Sequence, residues 1–176
     1  MKQFVPQEAC LKCQGCCRFK DENSVWSPCL LDEEIQGLLD KKGIPAASIT
    51  INRHIQPVVN PEGADFICPF LGSLNNQCKI YDMRPFECQL YPFLINFRKD
   101  KVLLTVDLNC PYVYEKIDTQ EAKDYIAYLT AYLNSPKLVK MLKENPQIIQ
   151  AYEEVREVAE LSLPHKKGTS SVGTPL

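Results

Sequence analysis

Residues 10–17 read Cys10-Leu11-Lys12-Cys13-Gln14-Gly15-Cys16-Cys17, a C-x2-C-x2-C-C run from which the rest of the chain is best read. Two intervening residues let one turn direct two sulfurs at a single ion while backbone amides face the thiolates. The C-x2-C spacing therefore recurs in both zinc and iron–sulfur sites. Gly15 suits the tight turns this requires. The first three cysteines match the opening of a bacterial ferredoxin run, but Cys17 follows directly where that run has three residues first. Neighbours in extended backbone point apart, so Cys16 and Cys17 are expected to serve different metals or opposite sides of one cluster.

Further along the chain stand Cys68, Cys78, Cys88 and Cys110. Cys68-Pro69 and Cys110-Pro111 are stiffened by proline, which fixes the backbone beside the sulfur. Their wide separation leaves it to the fold to gather them. The candidate metal ligands are thus Cys10, Cys13, Cys16, Cys17, Cys68, Cys78, Cys88 and Cys110. Eight thiols make either two four-thiolate sites or one multinuclear centre, and the spacing leaves both open. A pure thiolate set selects zinc or an iron–sulfur cluster over magnesium, calcium or manganese. Cys29, alone before Leu30-Leu31, reads as a small buried hydrophobe. His54 and His165 have no cysteine or carboxylate near them in the motif sense and read as ordinary core or surface histidines. Arg84 and Arg18 flank the cysteines and are placed to offset thiolate charge.

Nine cysteines in 176 residues is about 5%, below the roughly 8–10% of a disulfide scaffold. The odd count argues the same way. The opening Met1-Lys2-Gln3-Phe4-Val5-Pro6 has no apolar stretch of signal-peptide type, and no run approaches the ~20 apolar residues that span a bilayer. A cytoplasmic protein is expected, where thiols stay reduced and are free for metal. A net charge of −2 without a basic stripe argues against a nucleic-acid partner, and the missing apolar run argues against a membrane.

Apolar periodicity predicts an α+β fold, a small cysteine-rich domain with a β-hairpin and a helical C-terminal extension. Residues 93–98 and 102–107 alternate around Lys99-Asp100-Lys101 and predict the hairpin. A helix is expected from Asp32, which would cap it, to the stop at Gly43. Residues 48–60 read as extended structure, Asn75-Asn76 as a turn, and Arg84-Pro85 as the opening of a short helix. Beyond Pro111 helical spacing takes over at 121–134, from Pro136, and again from Pro146 through Ile148, Ile149, Tyr152, Val155 and Ala159. The domain organisation expected is a cysteine-cluster metal-binding domain over 1–117, a helical extension over 118–163 and a disordered tail over 164–176.

Several motifs in fixed order resemble a known family: Cys10-x2-Cys13-x2-Cys16-Cys17, Cys68-Pro69-Phe70-Leu71, Cys78-Lys79-Ile80-Tyr81, Arg84-Pro85, Cys88 and Tyr91-Pro92-Phe93. Over residues 8–112 the chain resembles the YkgJ-type cysteine-cluster (CxxCxxCC) family, described as zinc- or iron-chelating. Cys29 stands outside that pattern. The resemblance implies a bacterial or archaeal cytosolic metalloprotein. Larger relatives of the family are flagellin lysine methylases that use S-adenosylmethionine. This chain has neither a glycine-rich strand-to-helix loop nor the C-x3-C-x2-C run of radical enzymes using that donor.

Three functions follow in order. The first is a metal-binding protein with a structural, redox or sensing centre, whose partner is the metal ion or cluster. The second is an enzyme that modifies a protein side chain, in the manner of a lysine N-methylase, with a protein substrate. The third is a zinc-stabilised module that presents its helices to a protein partner. Catalytic residues are not identifiable: Asp65, Glu87 and Asp107 read as surface acids near cysteines.

Overall fold

The computed structural model describes residues 1–13, 15–42, 44–72, 75 and 77–163. Along the chain run α1 (Gln7–Lys12), β1 (Arg18–Phe19), α2 (Asp32–Lys42), β2 (Val58–Val59), β3 (Phe66–Ile67), α3 (Phe86–Leu90), β4 (Phe93–Arg98), β5 (Lys101–Val106), α4 (Pro111–Lys116), α5 (Gln120–Leu133), α6 (Pro136–Glu144) and β6 (Arg156–Glu160). The chain is mixed α+β, with antiparallel sheets ordered β1-β3-β2 and β4-β5-β6.

The expected hairpin is present. β4 and β5 pair without interruption from Phe93↔Val106 to Arg98↔Lys101. Lys99 and Asp100 both take left-handed backbone, φ 51° and 59°, as a two-residue loop must if its twist is to match the strands. Phe93, Ile95, Val102, Leu104 and Val106 are buried against Leu129 and Leu133 of α5 and Leu138 and Leu142 of α6. α5 starts where the Thr119 hydroxyl accepts from the Ala122 amide at 3.3 Å. Pro111 and Pro136 open α4 and α6, where a helix has no use for the missing N–H.

The third C-terminal helix expected from Pro146 does not form. Pro146–Ile148 makes a single 3-10 turn, and β6 pairs antiparallel with β5 from Leu103↔Glu160 to Val106↔Arg156. Buried β5 would otherwise leave its backbone groups unpaired along one edge, and pairing them outweighs a helical repeat in the sequence. Charges complete the strand, with Lys101–Glu160 at 2.6 Å and Arg98–Glu157 at 3.2 Å. Asn96, wholly buried, clamps the approach to β6. Its Nδ2 donates to the Tyr152 carbonyl at 3.0 Å, and its Oδ1 accepts from the Tyr152 amide at 3.1 Å.

The small sheet and α2 enclose a second apolar cluster of Phe19, Leu30, Leu38, Ile55, Ile67, Cys68, Phe70, Leu71 and Ile80. Residues 48–60, expected to be extended, are extended only in part, around a turn at 51–53. Only Val58–Val59 forms a strand, and the isolated bridges Ile49↔Ile55 and Cys29↔His54 hold the remainder. The C-x2-C run begins on a short helix, α1. Asp32 pairs with Arg53 at 2.9 Å instead of capping α2, and Glu34 takes the free amides of Leu31 and Phe86 at 2.9 and 2.5 Å. Gly43, Asn76 and the tail from Pro164 lie outside the described residues. Among the described residues no helix is long and apolar enough to cross a membrane.

Candidate metal centre

The cysteines come from separate elements, and backbone hydrogen bonds bring several of those elements together. Cys10 sits on α1 and Cys13 caps its C-terminus, the Cys13 amide donating to the Cys10 carbonyl at 3.1 Å. The Gly15 amide donates to Cys13 Sγ at 3.4 Å, the amide-to-sulfur bond a chelating turn supplies. Cys16 and Cys17 do not point apart. They lie in a turn closed by the Arg18 amide on the Gly15 carbonyl at 3.0 Å, and their sulfurs stand 4.0 Å from each other. The alternation of extended backbone does not apply inside a turn.

The Cys68 amide donates to the Cys17 carbonyl at 2.9 Å, tying the second cysteine segment to the first. The Leu71↔Cys78 bridge, with the Leu71 amide on the Cys68 carbonyl at 2.9 Å, sets Cys78 beside Cys68. Cys88 lies in α3, and Cys110 is buried at the start of α4.

The electrostatics regroup the thiols against sequence order. Burial pushes Cys10 up to about 11 and Cys68 to about 12, and moves Cys78, Cys88 and Cys110 in the same direction. After burial, Cys10 is raised by Cys16, Cys110 and Cys13, and Cys110 by Cys13 and Cys16. Cys88 is raised by Cys68, Cys16 and Cys78, and Cys68 by Cys78 and Cys16. Cys10 and Cys110 thus feel one another's segment, as Cys68 and Cys88 feel theirs. Cys16 acts on members of both. The residue is exposed, yet its own thiol is raised, first by contact with Cys17 and then by desolvation around the sulfur.

One arginine acts on these thiols, and a second lies nearby in sequence. Arg84 stacks over the Tyr81 ring at 3.8 Å and donates to Gln3 Oε1 at 3.4 Å, and its charge favours the thiolates of Cys10, Cys16 and Cys78. Arg18 stands 4.0 Å from Asp65. The Nε atoms of both arginines are buried without a hydrogen-bond partner.

The acids expected at the surface are more deeply placed. Asp107, 5% exposed, accepts from the Tyr91 hydroxyl at 3.0 Å. Glu87, 8% exposed, accepts from the Cys29 amide at 2.6 Å and from the Tyr152 hydroxyl at 3.3 Å. Asp65 is half-buried and accepts from Asn60 at 2.7 Å. A single acidic letter beside a cysteine carries no signal of burial, so these placements could not be read beforehand. Cys29 is buried among apolar residues as expected, with its thiol pushed up to about 12 by that burial. His54 sets Nδ1 2.5 Å from the Ser27 carbonyl, and His165 lies outside the described residues.

A family profile described as "CxxCxxCC: Putative zinc- or iron-chelating domain" matches residues 9–111. The chain belongs to this family. The matched span runs from just before Cys10 to just after Cys110 and so contains the full set of candidate thiols. A stretch of 41 residues is 42% identical to the uncharacterized protein MJ0661 of Methanocaldococcus jannaschii, covering 23% of this chain and 22% of that protein. No solved structure matches the chain.

The chelating domain fits a soft cation in its chemistry. Its donors are thiols, which favour zinc or iron. Burial raises the thiols of Cys10, Cys68, Cys78, Cys88 and Cys110, and a bound cation would supply the positive charge that favours their thiolates. Arg84, whose charge favours the thiolates of Cys10, Cys16 and Cys78, carries a buried Nε–H without an acceptor, a role that thiolate sulfur could fill. Among the described residues no group of three or more Cys, His, Asp or Glu side chains is arranged to hold a metal ion.

Proposed function

We propose that the protein chelates zinc or iron through Cys10, Cys13, Cys16, Cys17, Cys68, Cys78, Cys88 and Cys110, and that the centre is structural. The supporting observation is that the fold ties the two cysteine segments together, the Cys68 amide donating to the Cys17 carbonyl at 2.9 Å beside the Cys16–Cys17 sulfur contact of 4.0 Å. Cys110 belongs to the apolar cluster of the hairpin and Cys68 to that of the small sheet, so a metal held by both fastens one cluster to the other. Structural zinc contributes ~10–16 kcal/mol of apparent binding free energy, as much as the net stability of a whole domain.

The test is metal and acid-labile sulfide analysis of chain purified without oxygen, repeated for three variants. Cys13→Ser and Cys78→Ser are expected to lower metal content. Cys29→Ala is expected to keep it and to cost on the order of 1 kcal/mol of packing. Wild-type chain without zinc or iron would sink the reading. Sulfide in proportion to iron would make the centre an iron–sulfur cluster.

A further inference from the structure

On α5, Glu121, Asp124, Tyr125 and Tyr128 follow one another at spacings of three, one and three residues and so share a face of the helix. The N-terminal segment lies across that face. The Lys2 amide donates to the Tyr128 hydroxyl at 3.0 Å, and the Tyr125 hydroxyl donates to the Lys2 carbonyl at 2.9 Å. Phe4 anchors the segment against the Tyr125 ring, with centroids 5.0 Å apart. Between segment and helix remains a cleft of about 230 Å³, lined by these residues and Gln3. The cleft holds no cysteine, so it and the metal centre stand or fall separately.

The lining selects by chemistry. Two carboxylates turn anions away. Glu121 takes Lys116 on Oε2 at 3.5 Å and Asp124 takes the Gln120 amide on Oδ1 at 2.8 Å. Glu121 Oε1 and Asp124 Oδ2 are thereby left without a partner among the described residues, and Lys2 forms no ion pair with either acid among them. Calcium or magnesium would need about six or more oxygens, and much of this wall is aromatic ring. Ring faces do little for a strongly hydrated metal ion, but they attract organic cations, which shed water easily. Tyr125 is 6% exposed and serves as floor, while Tyr128 is 37% exposed and open to a ligand. Beside the cleft the chain already pairs an ammonium with a ring and a carboxylate: Lys116 Nζ lies 5.0 Å from the Tyr112 ring centroid and 3.5 Å from Glu121.

The geometry points to a binding site for an alkylammonium group, with Glu121 and Asp124 supplying the charge and Tyr128, Tyr125 and Phe4 the aromatic surface. The volume falls below the roughly 300–1,000 Å³ of pockets for drug-sized molecules. It suits an ammonium head with a few carbons, not a large cofactor.

The experiment titrates the full, ¹⁵N-labelled chain with n-butylammonium chloride at constant ionic strength and follows backbone amides by NMR. Saturable shifts are expected at Lys2, Phe4, Tyr125 and Tyr128, with a dissociation constant on the order of 1 mM. The neutral counterpart n-butanol should bind at least about tenfold more weakly. Equal binding of the two, or shifts that never saturate, would overturn the site. Glu121→Gln combined with Asp124→Asn should weaken n-butylammonium about five- to tenfold and leave n-butanol as it was; unchanged ammonium affinity would refute the role of the acids. Tyr128 separates the ring from the strap. Tyr128→Phe keeps the ring without the hydroxyl that accepts the Lys2 amide, and Tyr128→Leu loses both. Binding should survive in the first and fall about threefold or more in the second; equal losses would refute the aromatic role. A capped peptide with a single lysine, set against the same peptide with norleucine, identifies the source of the group. Tighter binding than n-butylammonium assigns the cleft to a lysine side chain of another protein, and weaker binding assigns it to a free amine.

Discussion

Replacing Glu87 by glutamine should stabilise the protein in alkaline solution and leave it unchanged in acid. The carboxyl lies on α3, 8% exposed, with the Cys29 amide on Oε2 at 2.6 Å and the Tyr152 hydroxyl on Oε1 at 3.3 Å. Burial pushes it up to about 8 from 4.5, against the two hydrogen bonds, which lower it. The fold therefore holds its proton across a range in which the unfolded chain has released it. Stability from this group is fully present below pH 4.5 and is lost as pH rises toward 8. At 1.36 kcal/mol per pH unit, the loss between pH 5 and 8 is about 3–4 kcal/mol.

Glutamine is neutral throughout. Its Oε1 can accept from the Cys29 amide, while its Nε2 donates to the Tyr152 hydroxyl. Glu87→Gln minus wild type should be near zero at pH 5 and about 3 kcal/mol favourable at pH 8, or roughly 6–12 °C in Tm for a chain of this size. Denaturation of both proteins at both pH values gives the comparison, and thiolate protonation, common to the pair, cancels. Glu87→Ala serves as the control: it leaves the buried Cys29 amide unpaired and costs about 1–3 kcal/mol on that account. A Glu87→Gln difference that is the same at pH 5 and pH 8 would show the carboxyl to be ionised in the fold and refute the reasoning.

Two further outcomes test other parts of the structure. Asn96→Ala strips both hydrogen bonds from the buried Tyr152 backbone and should cost about 2–4 kcal/mol; hydrogen exchange at the Tyr152 amide should quicken, and undiminished protection would show that the clamp is not what holds this segment. Arg84→Gln removes the charge and the Nε–H facing the thiols, so metal affinity measured against a chromophoric chelator should fall about 10–100-fold; unchanged affinity would place the guanidinium outside the sulfur network.

Much of the local structure was legible because it depends on neighbours in sequence. The hairpin announced itself through alternation around Lys99-Asp100-Lys101, and α5 and α6 through helical spacing, with Pro136 opening the second. The stretch from Pro146 failed because its apolar residues satisfy a helical repeat, while the element that claimed it, the open edge of β5, lies some fifty residues earlier. The acids show the same limit. Glu87 and Asp107 sit beside cysteines in the chain, but what buries them, Tyr152 for one and Tyr91 for the other, comes from other elements.

For the candidate centre the division is sharp. Chemistry follows from residue type and short spacing, so the sequence by itself determined that thiols at C-x2-C intervals select a soft ion, and it named the family from motif order. Which thiols stand together depends on loop closure across tens of residues, and no local pattern encodes that. Only the tertiary structure tied the Cys68 segment to Cys17, set Cys78 beside Cys68, and folded Cys16 against Cys17 in a turn. The reason is physical: a ligand's identity resides in its side chain, whereas its partners are chosen by the packing of the hairpin cluster and the small-sheet cluster that carry them.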